Sequence, residues 1–317
     1  MTIIDEAGQN FDIDCIGAIS VSSNLVLAGD HLQLSPVMIS NDDDWYHTSG
    51  LKTIQQRAYD LYQEEQEKEE DITKISKTLL SNQYRMNQEI LKWSNRIMYN
   101  NEIYSGEANK NWQIHPNLAP VSIFNMPDSR ESKNSDRETS YQNEKEAEVM
   151  LDYIENFLLN NLKIKASKIG CIVPYSAQRD LLSTMIRNRS NKLSSSSNQL
   201  QKIKISSVDG FQGSEMDVII LGMVRANDFG NIGFTGDLKR FNVATTRARK
   251  HLACFVNCDT YRGSELTEFF RMHKVRLIKC NHFSNESFMQ MQHHPTMTQI
   301  PSLSEERPKH SLEICLS

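Results

Sequence analysis

At 317 residues with a net charge of -5 and 38% apolar residues, the chain is long enough for one large domain or two ordinary ones and can bury a core. No apolar run reaches the ~18 residues of a membrane helix, and the first residues lack the regions of a secretory signal, so a soluble intracellular protein with no membrane partner is expected. The six cysteines, Cys15, Cys171, Cys254, Cys258, Cys280 and Cys315, include no Cys-x-x-Cys pair, which argues for reduced thiols over disulfides or a zinc site.

In chain order, "TII" and "NLVLAG" predict two short strands, each followed by polar or acidic residues. The acidic stretch after them, "DDDWYHTSGLKTIQQRAYDLYQEEQEKEED", suits a helix with a solvated glutamate face. A new unit starts at Thr78, and "EILKWSNRIMY" has apolar residues at helical spacing. "PDSRESKNSDRETSYQNEKEAE" predicts a loop running into the helix "AEVMLDYIENFLL". Next come the strand "KIGCIVPY" and the helix "SAQRDLLSTMIRN", with Ser176 as its N-cap. A serine-rich linker leads to the strands "KIKISSV" and "DVIILGMV", the helix "DLKRFNVATTRARKH", and the strand "LACFVNC", which closes the sheet. Strands alternating with helices predict an α/β fold with a mostly parallel sheet. Residues 281–317 are polar and predict a disordered tail.

Several short stretches carry chemistry. Asp5 and Glu6 end the first strand, where one carboxylate could hold magnesium on a nucleotide and its neighbour could orient a water. Taken alone, a surface turn explains such a pair more simply. "AGDHLQLSPV" offers Gln33, an uncharged donor and acceptor suited to a terminal phosphate, and an ordinary loop is its alternative. Arg85 begins the second unit, and Arg240 and Arg247, seven residues apart, would share one helical face. Arginine presents a planar fork of donors to phosphate, although most helix arginines are simply exposed. In "SSVDGFQGSEMDVIILGMVR", Gly210 and Gly213 bracket a turn with Gln212 and Glu215 at its tip; an unliganded hairpin is the alternative.

"IIDEAGQ", "GDHLQLSPV", "NQYRMNQEI", "IVPYSAQ", "SVDGFQGSEMDVIILGMVR" and "GDLKRFNVATTRARK" together resemble, in order, motifs II to VI of superfamily 1 helicases. The resemblance is to the 5′-to-3′ branch of the up-frameshift, senataxin and mu-binding helicases, and it covers residues 1 to about 258. It implies a RecA-like P-loop NTPase fold, with the remnant of a first RecA-like domain over 1–77 and a complete second one over 78–280. It further implies ATP and Mg2+ as cofactors, single-stranded RNA or DNA as partner, protein partners in RNA processing or decay, and a cytoplasmic or nuclear location.

Carried onto this chain, the resemblance puts Asp5 on magnesium, Glu6 on the attacking water and Gln33 on the γ-phosphate. Arg85 and Arg247 become arginine fingers, Glu215 meets the ribose, and Gln212, Gly213 and Arg240 face the nucleotide. Ser35, Pro36, Tyr175 and Ser207 would lie towards nucleic acid. The chain departs from the family at Asn87-Gln88, where His-Pro is usual, a change expected to affect how a helix starts. It also departs at Val173, where a threonine would donate to a phosphate. No stretch matches G-x-x-x-x-G-K-[ST], which the family places upstream of the acidic pair. The expectation is therefore the C-terminal part of a helicase that hydrolyses ATP poorly by itself, or a non-catalytic module binding nucleic acid or protein. A metal site at His293-His294 finds no further ligands.

Overall fold

The computed structural model describes residues 1–36, 52–67, 75–116, 118–134, 137–192, 197–273 and 275–277. The predicted polar tail, with His293 and His294, lies outside these residues, as does part of the acidic stretch on either side of its helix.

The chain opens with β1 (Thr2–Ile4), a 3-10 turn, α1 (Asp12–Ser20), β2 (Leu25–Leu27) and α2 (Ile54–Glu67). β1 and β2 pair in parallel, Ile3 opposite Val26, as expected from the two apolar runs. A small core of Ala7, Cys15 and Ile54 joins these elements. At the end of β2 a Cβ on Gly29 would stand 2.8 Å from the Ala7 nitrogen, so glycine here admits a close backbone approach.

The next elements are β3 (Asn82–Gln83), α3 (Gln88–Met98), β4 (Tyr104–Ser105), β5 (Val121–Asn125), β6 (Ser132–Asn134), β7 (Arg137–Gln142) and α4 (Glu144–Asp152). α4 winds on as a π-helical stretch, Tyr153–Asn161. There follow β8 (Ile169–Ile172), α5 (Ser176–Lys192), β9 (Lys204–Ser206), α6 (Val208–Phe211), β10 (Met216–Gly222), α7 (Leu238–Thr245), β11 (Ala248–Val256), α8 (Thr267–Met272) and β12 (Val275–Leu277).

Six strands form one parallel sheet in the order β12-β5-β11-β10-β8-β9. The runs Val218–Leu221 of β10 and Leu252–Val256 of β11 are apolar at every position because both faces are covered. Val218 and Ile220 point into one core with Tyr153, Phe157 and Leu182. Ile219 and Leu221 point into the other, with Trp93, Phe241 and Phe269. The expected α/β class and parallel sheet are therefore present.

The structure corrects several local expectations. The serine-rich loop contains an antiparallel hairpin, β6 with β7. β5, which no sequence pattern singled out, pairs with β11 and so lies inside the sheet. β11 is itself central, where it was expected to close the sheet, and β9 and β10 are separated by β8 and form no hairpin. The helix in "DLKRFNVATTRARKH" stops at Thr245, so Arg247 lies beyond it and does not share a helical face with Arg240. α5 begins at Ser176 itself, and its Ala177 amide donates to the Ser140 hydroxyl of β7, where Ser176 was expected to cap. Among the described residues Cys15, Cys171, Cys254 and Cys258 are free thiols, the first three buried.

Asn87, one of the two departures from the family pattern, N-caps α3: its side chain accepts from the Glu89 amide at 2.7 Å and donates to the Trp112 carbonyl at 2.6 Å. Asn87→Ala is expected to cost about 1–2 kcal/mol, seen as a lowered urea midpoint; an unchanged midpoint would show the cap to be idle.

Candidate functional site

The acidic pair sits at the exposed carboxyl end of β1. Asp5 Oδ1 accepts the Glu6 amide at 2.9 Å, and Glu6 turns into the left-handed region at φ 52, ψ 39. Few residues other than glycine adopt that conformation, and where they do it marks a functional turn more often than chance allows. Gln9 Nε2 donates to Glu6 Oε2 at 2.7 Å, and the Ala7 amide donates to the Ala28 carbonyl at the end of β2. Both carboxyl groups stay at the surface while the backbone behind them is buried.

Asp30, at the end of β2, organises the opposite rim. Its Oδ2 accepts from the Tyr99 hydroxyl at 2.6 Å and from Gln33 Nε2 at 3.0 Å. Tyr99 follows α3, and its hydroxyl in turn accepts from Asn242 Nδ2 of α7, which also donates to the Leu32 carbonyl. Burial, then the Asp30 charge, holds the Tyr99 phenol well above its ordinary value. Because Gln33 gives its amide hydrogens to Asp30, its Oε1 is turned towards Arg247, 3.5 Å from NH2. Sequence reading did not single out Tyr99 or Asn242; the only signal for them was their place inside "RIMY" and "RFNVATT".

Arg247 is 2% exposed. Its Nε donates to the Val243 carbonyl at 3.1 Å and its NH2 reaches the Thr246 hydroxyl at 3.4 Å. Among the described residues no carboxylate forms an ion pair with it. Burial, then the neighbouring Arg85 charge, lowers its pKa to about 10, with Glu6, Tyr99 and Glu215 opposing. Arg85, Glu6 and Glu215 are thus the charged side chains near enough to act on Arg247. Arg85 and Glu215 pair directly, Nε to Oε2 at 3.0 Å, and Arg249 approaches the other Glu215 oxygen at 3.6 Å.

Between β9 and β10, Ser207 N-caps α6 and Gln212 ends it. Gln212 Nε2 is buried with no hydrogen-bond partner among the described residues. Gly213, at φ +70, has open space where a Cβ would stand. Among the described residues, none of the other predicted residues is hydrogen-bonded or ion-paired to Arg247. Arg240 pairs with Asp209 of α6 at 3.6 Å and lies over the Phe234 ring, Tyr175 accepts from Arg225, and Ser35 meets Lys239 at 3.5 Å. Pro36 follows Ser35 at the edge of the described residues. Glu6, Gln33, Arg85, Arg247 and Glu215 thus form one group, while Arg240, Tyr175 and Ser207 belong to another.

A family model described as an AAA domain matches residues 55–259, and a second with the same description matches residues 1–41. The chain is 31% identical over 279 residues to DNA polymerase alpha-associated DNA helicase A of Saccharomyces cerevisiae, covering 81% of this chain and 38% of that one. It is 29% identical over 278 residues to DNA-binding protein SMUBP-2 of Rattus norvegicus, covering 82% and 25%, and 29% identical over 258 residues to probable helicase senataxin of Homo sapiens, covering 79% and 9%. The chain therefore spans well under half the length of these relatives. Among the described residues no helix is long and apolar enough to cross a membrane. The family match over most of the chain, together with the ordered motifs on a parallel α/β sheet, places it: this chain belongs to the superfamily 1 helicases of the up-frameshift, senataxin and mu-binding type.

Proposed function

We propose that the chain is part of an ATP-dependent helicase, in which nucleoside triphosphate hydrolysis drives stepping along single-stranded RNA or DNA. Arg247 is the observation that carries this reading. A guanidinium taken out of water without an anion is costly, and a terminal phosphate is the anion that such a fork of donors fits. The unpartnered Gln212 amide and the open space at Gly213 suit the same group.

Among the described residues no cluster of three ligands could cage a metal ion. Magnesium on a nucleotide needs only one or two carboxylates beside phosphates and waters, so Asp5 at the strand end fits it. Bound there, magnesium would neutralise phosphate charge. Glu6 would accept a proton from the attacking water, and Gln33, its amide oriented by Asp30, would report on the terminal phosphate. Arg85 and Glu215 hold each other through a half-exposed pair, which contributes little and exchanges easily. Arg85 is then free to meet developing charge and Glu215 a ribose hydroxyl. Tyr175, Ser207, Ser35 and Pro36 are assigned to the strand side, and Arg240, separated from Arg247, joins them. The remnant of the first RecA-like domain is assigned to 1–77 and the second RecA-like domain to 78–280.

A second reading is a module that binds single strands or a protein partner without catalysis, which would stay unresponsive to nucleotide even when supplied with the family's G-x-x-x-x-G-K-[ST] loop. Hydrolysis assays on the 317-residue chain, alone and joined to a strand–loop–helix segment bearing that loop, separate the two. Slow hydrolysis by the chain alone is expected, with single-strand stimulation once the loop is supplied and its loss in Arg247→Ala. Strand binding with no nucleotide response in either form would select the module.

A further inference from the structure

The spacing Asn143-x-x-Glu146 is that of a reciprocal helix cap, in which the glutamate returns to the cap amide. Here the first half forms: Asn143 Oδ1 accepts the Glu146 amide at 3.0 Å. The second half does not. The Asn143 amide donates to Gln178 Oε1 at 2.7 Å, and both Glu146 oxygens accept instead from the Val224 amide, each at 3.0 Å. Asn143 Nδ2 also donates to the Val224 carbonyl at 3.2 Å. The start of α4 therefore grips Val224 at both its backbone groups.

Val224 needs that grip. Its φ is 66, and the Arg225 amide donates back to the Met223 carbonyl at 2.7 Å, so it centres a tight three-residue turn that is strained for any L residue and more so for a β-branched one. Strain of this kind persists only where the surroundings over-determine it, and it gathers at functional positions.

The turn delivers Arg225, 4% exposed, onto the Tyr141 ring at 4.1 Å, with Nε on Glu131 at 2.9 Å and NH1 on the Tyr175 hydroxyl at 3.2 Å. The loop beyond is fastened by Asn227, whose Oδ1 accepts the Phe229 and Asn231 amides at 3.2 and 3.0 Å. At its crown Phe229 is 92% exposed, above an open cleft of about 390 Å³ whose lining includes Lys133, Tyr141 and Arg225. From that cleft a row of rings runs on: Tyr141 to Tyr175 at 5.4 Å, Tyr175 to Phe234 at 4.5 Å, and Arg240 over Phe234 at 5.4 Å. Rings interleaved with cations are the chemistry that grips an unpaired strand, since every base has a face to stack.

We propose that Phe229 is a stacking contact for one unpaired base of a nucleic-acid strand, and that Asn143 and Glu146 are positioning residues that hold it there through the strained Val224 turn. This rests on the single-strand reading above. The test measures binding of single-stranded RNA and DNA carrying one 2-aminopurine to the 317-residue chain across a salt series. Phe229→Ala is expected to weaken binding about tenfold and to restore aminopurine emission. The slope of log affinity against log salt should not change, because no phosphate contact is lost. Phe229→Trp should bind as the parent does. Glu146→Leu should weaken binding similarly, while Glu146→Gln, which keeps an acceptor for Val224, should not. Adding Val224→Gly to Glu146→Leu should restore binding, because glycine takes the left-handed turn unaided; the double variant also serves if Glu146→Leu does not fold. Equal affinity of Phe229→Ala and parent, or a changed salt slope, would overturn the stacking contact alone. Normal binding by Glu146→Leu would overturn the positioning role. Failure of the parent chain to bind any single strand would overturn the functional reading and this inference with it.

Discussion

Arg247→Met is expected to make the folded chain more stable, by on the order of 2 kcal/mol, while removing any response to nucleotide. The sign follows from the environment. The guanidinium is 2% exposed, has no carboxylate partner among the described residues, and has its pKa lowered from 12.5 to about 10. A base whose folded value lies below its unfolded one is charged more easily in the unfolded chain, so at neutral pH its burial opposes folding. Methionine fills a similar volume without charge, and the lost hydrogen bonds to the Val243 carbonyl and Thr246 hydroxyl offset part of the gain. Urea unfolding of parent and variant decides it: a variant clearly less stable than the parent would make Arg247 a structural residue and remove the main support for a phosphate site. Arg85→Met, at a half-exposed pair, should change stability little.

Between pH 6.5 and 8 the chain should lose about 1 kcal/mol of stability, and Glu146→Gln should abolish the loss. Glu146 is 1% exposed, and burial raises its pKa from 4.5 to about 8 against the opposing Val224 hydrogen bond. An acid whose folded value is raised holds its proton more tightly when folded. Its contribution is therefore full below about 4.5 and is lost as pH rises through about 8. Burial lowers His31 and His273 from 6.5, so above that pH they are neutral in the folded chain, and the last protons leaving them in the unfolded chain near pH 6.5 raise stability a little in parent and Glu146→Gln alike. The neighbouring Cys171 and Cys254 thiols, pushed up by burial, stay protonated. A parent whose unfolding free energy is flat across this window would mean that Glu146 is already ionised in the folded chain.

How far the sequence could be read depended on whether a feature was local. β8 and β10 were legible because a strand covered on both faces is an unbroken apolar run, and α3 because its apolar residues recur at helical spacing. β5 was missed: "VSIFN" is short and follows a proline, and only its pairing with β11 makes it central. The β6–β7 hairpin alternates serine with charge and has no apolar face to betray it. "TTRARK" holds good helix formers, yet Ala248–Val256 is a strand because β10 and β5 flank it, an override of local preference by tertiary pairing.

The candidate site divides in the same way. Residue types with phosphate chemistry stood out in their motifs, and Gln33 and Arg247 do meet. The placement of Arg240 did not follow, because the shared-face argument assumed a helix two residues longer than the one that forms. Asp30, Tyr99 and Asn242 were illegible for another reason: they act by touching one another across 69 and 143 positions of chain.

That relay has a consequence for how the molecule answers its medium. The Tyr99 hydroxyl and the Asn242 and Gln33 amides that tie the β2 rim to α3 and α7 are all uncharged donors. Rising ionic strength screens the Arg85–Glu215 and Arg240–Asp209 pairs but leaves these donors almost untouched. On the single-strand reading proposed above, alignment across the cleft and hold on a charged strand would be set by different solvent variables, so that a strand could be released without loss of the shape that receives the next.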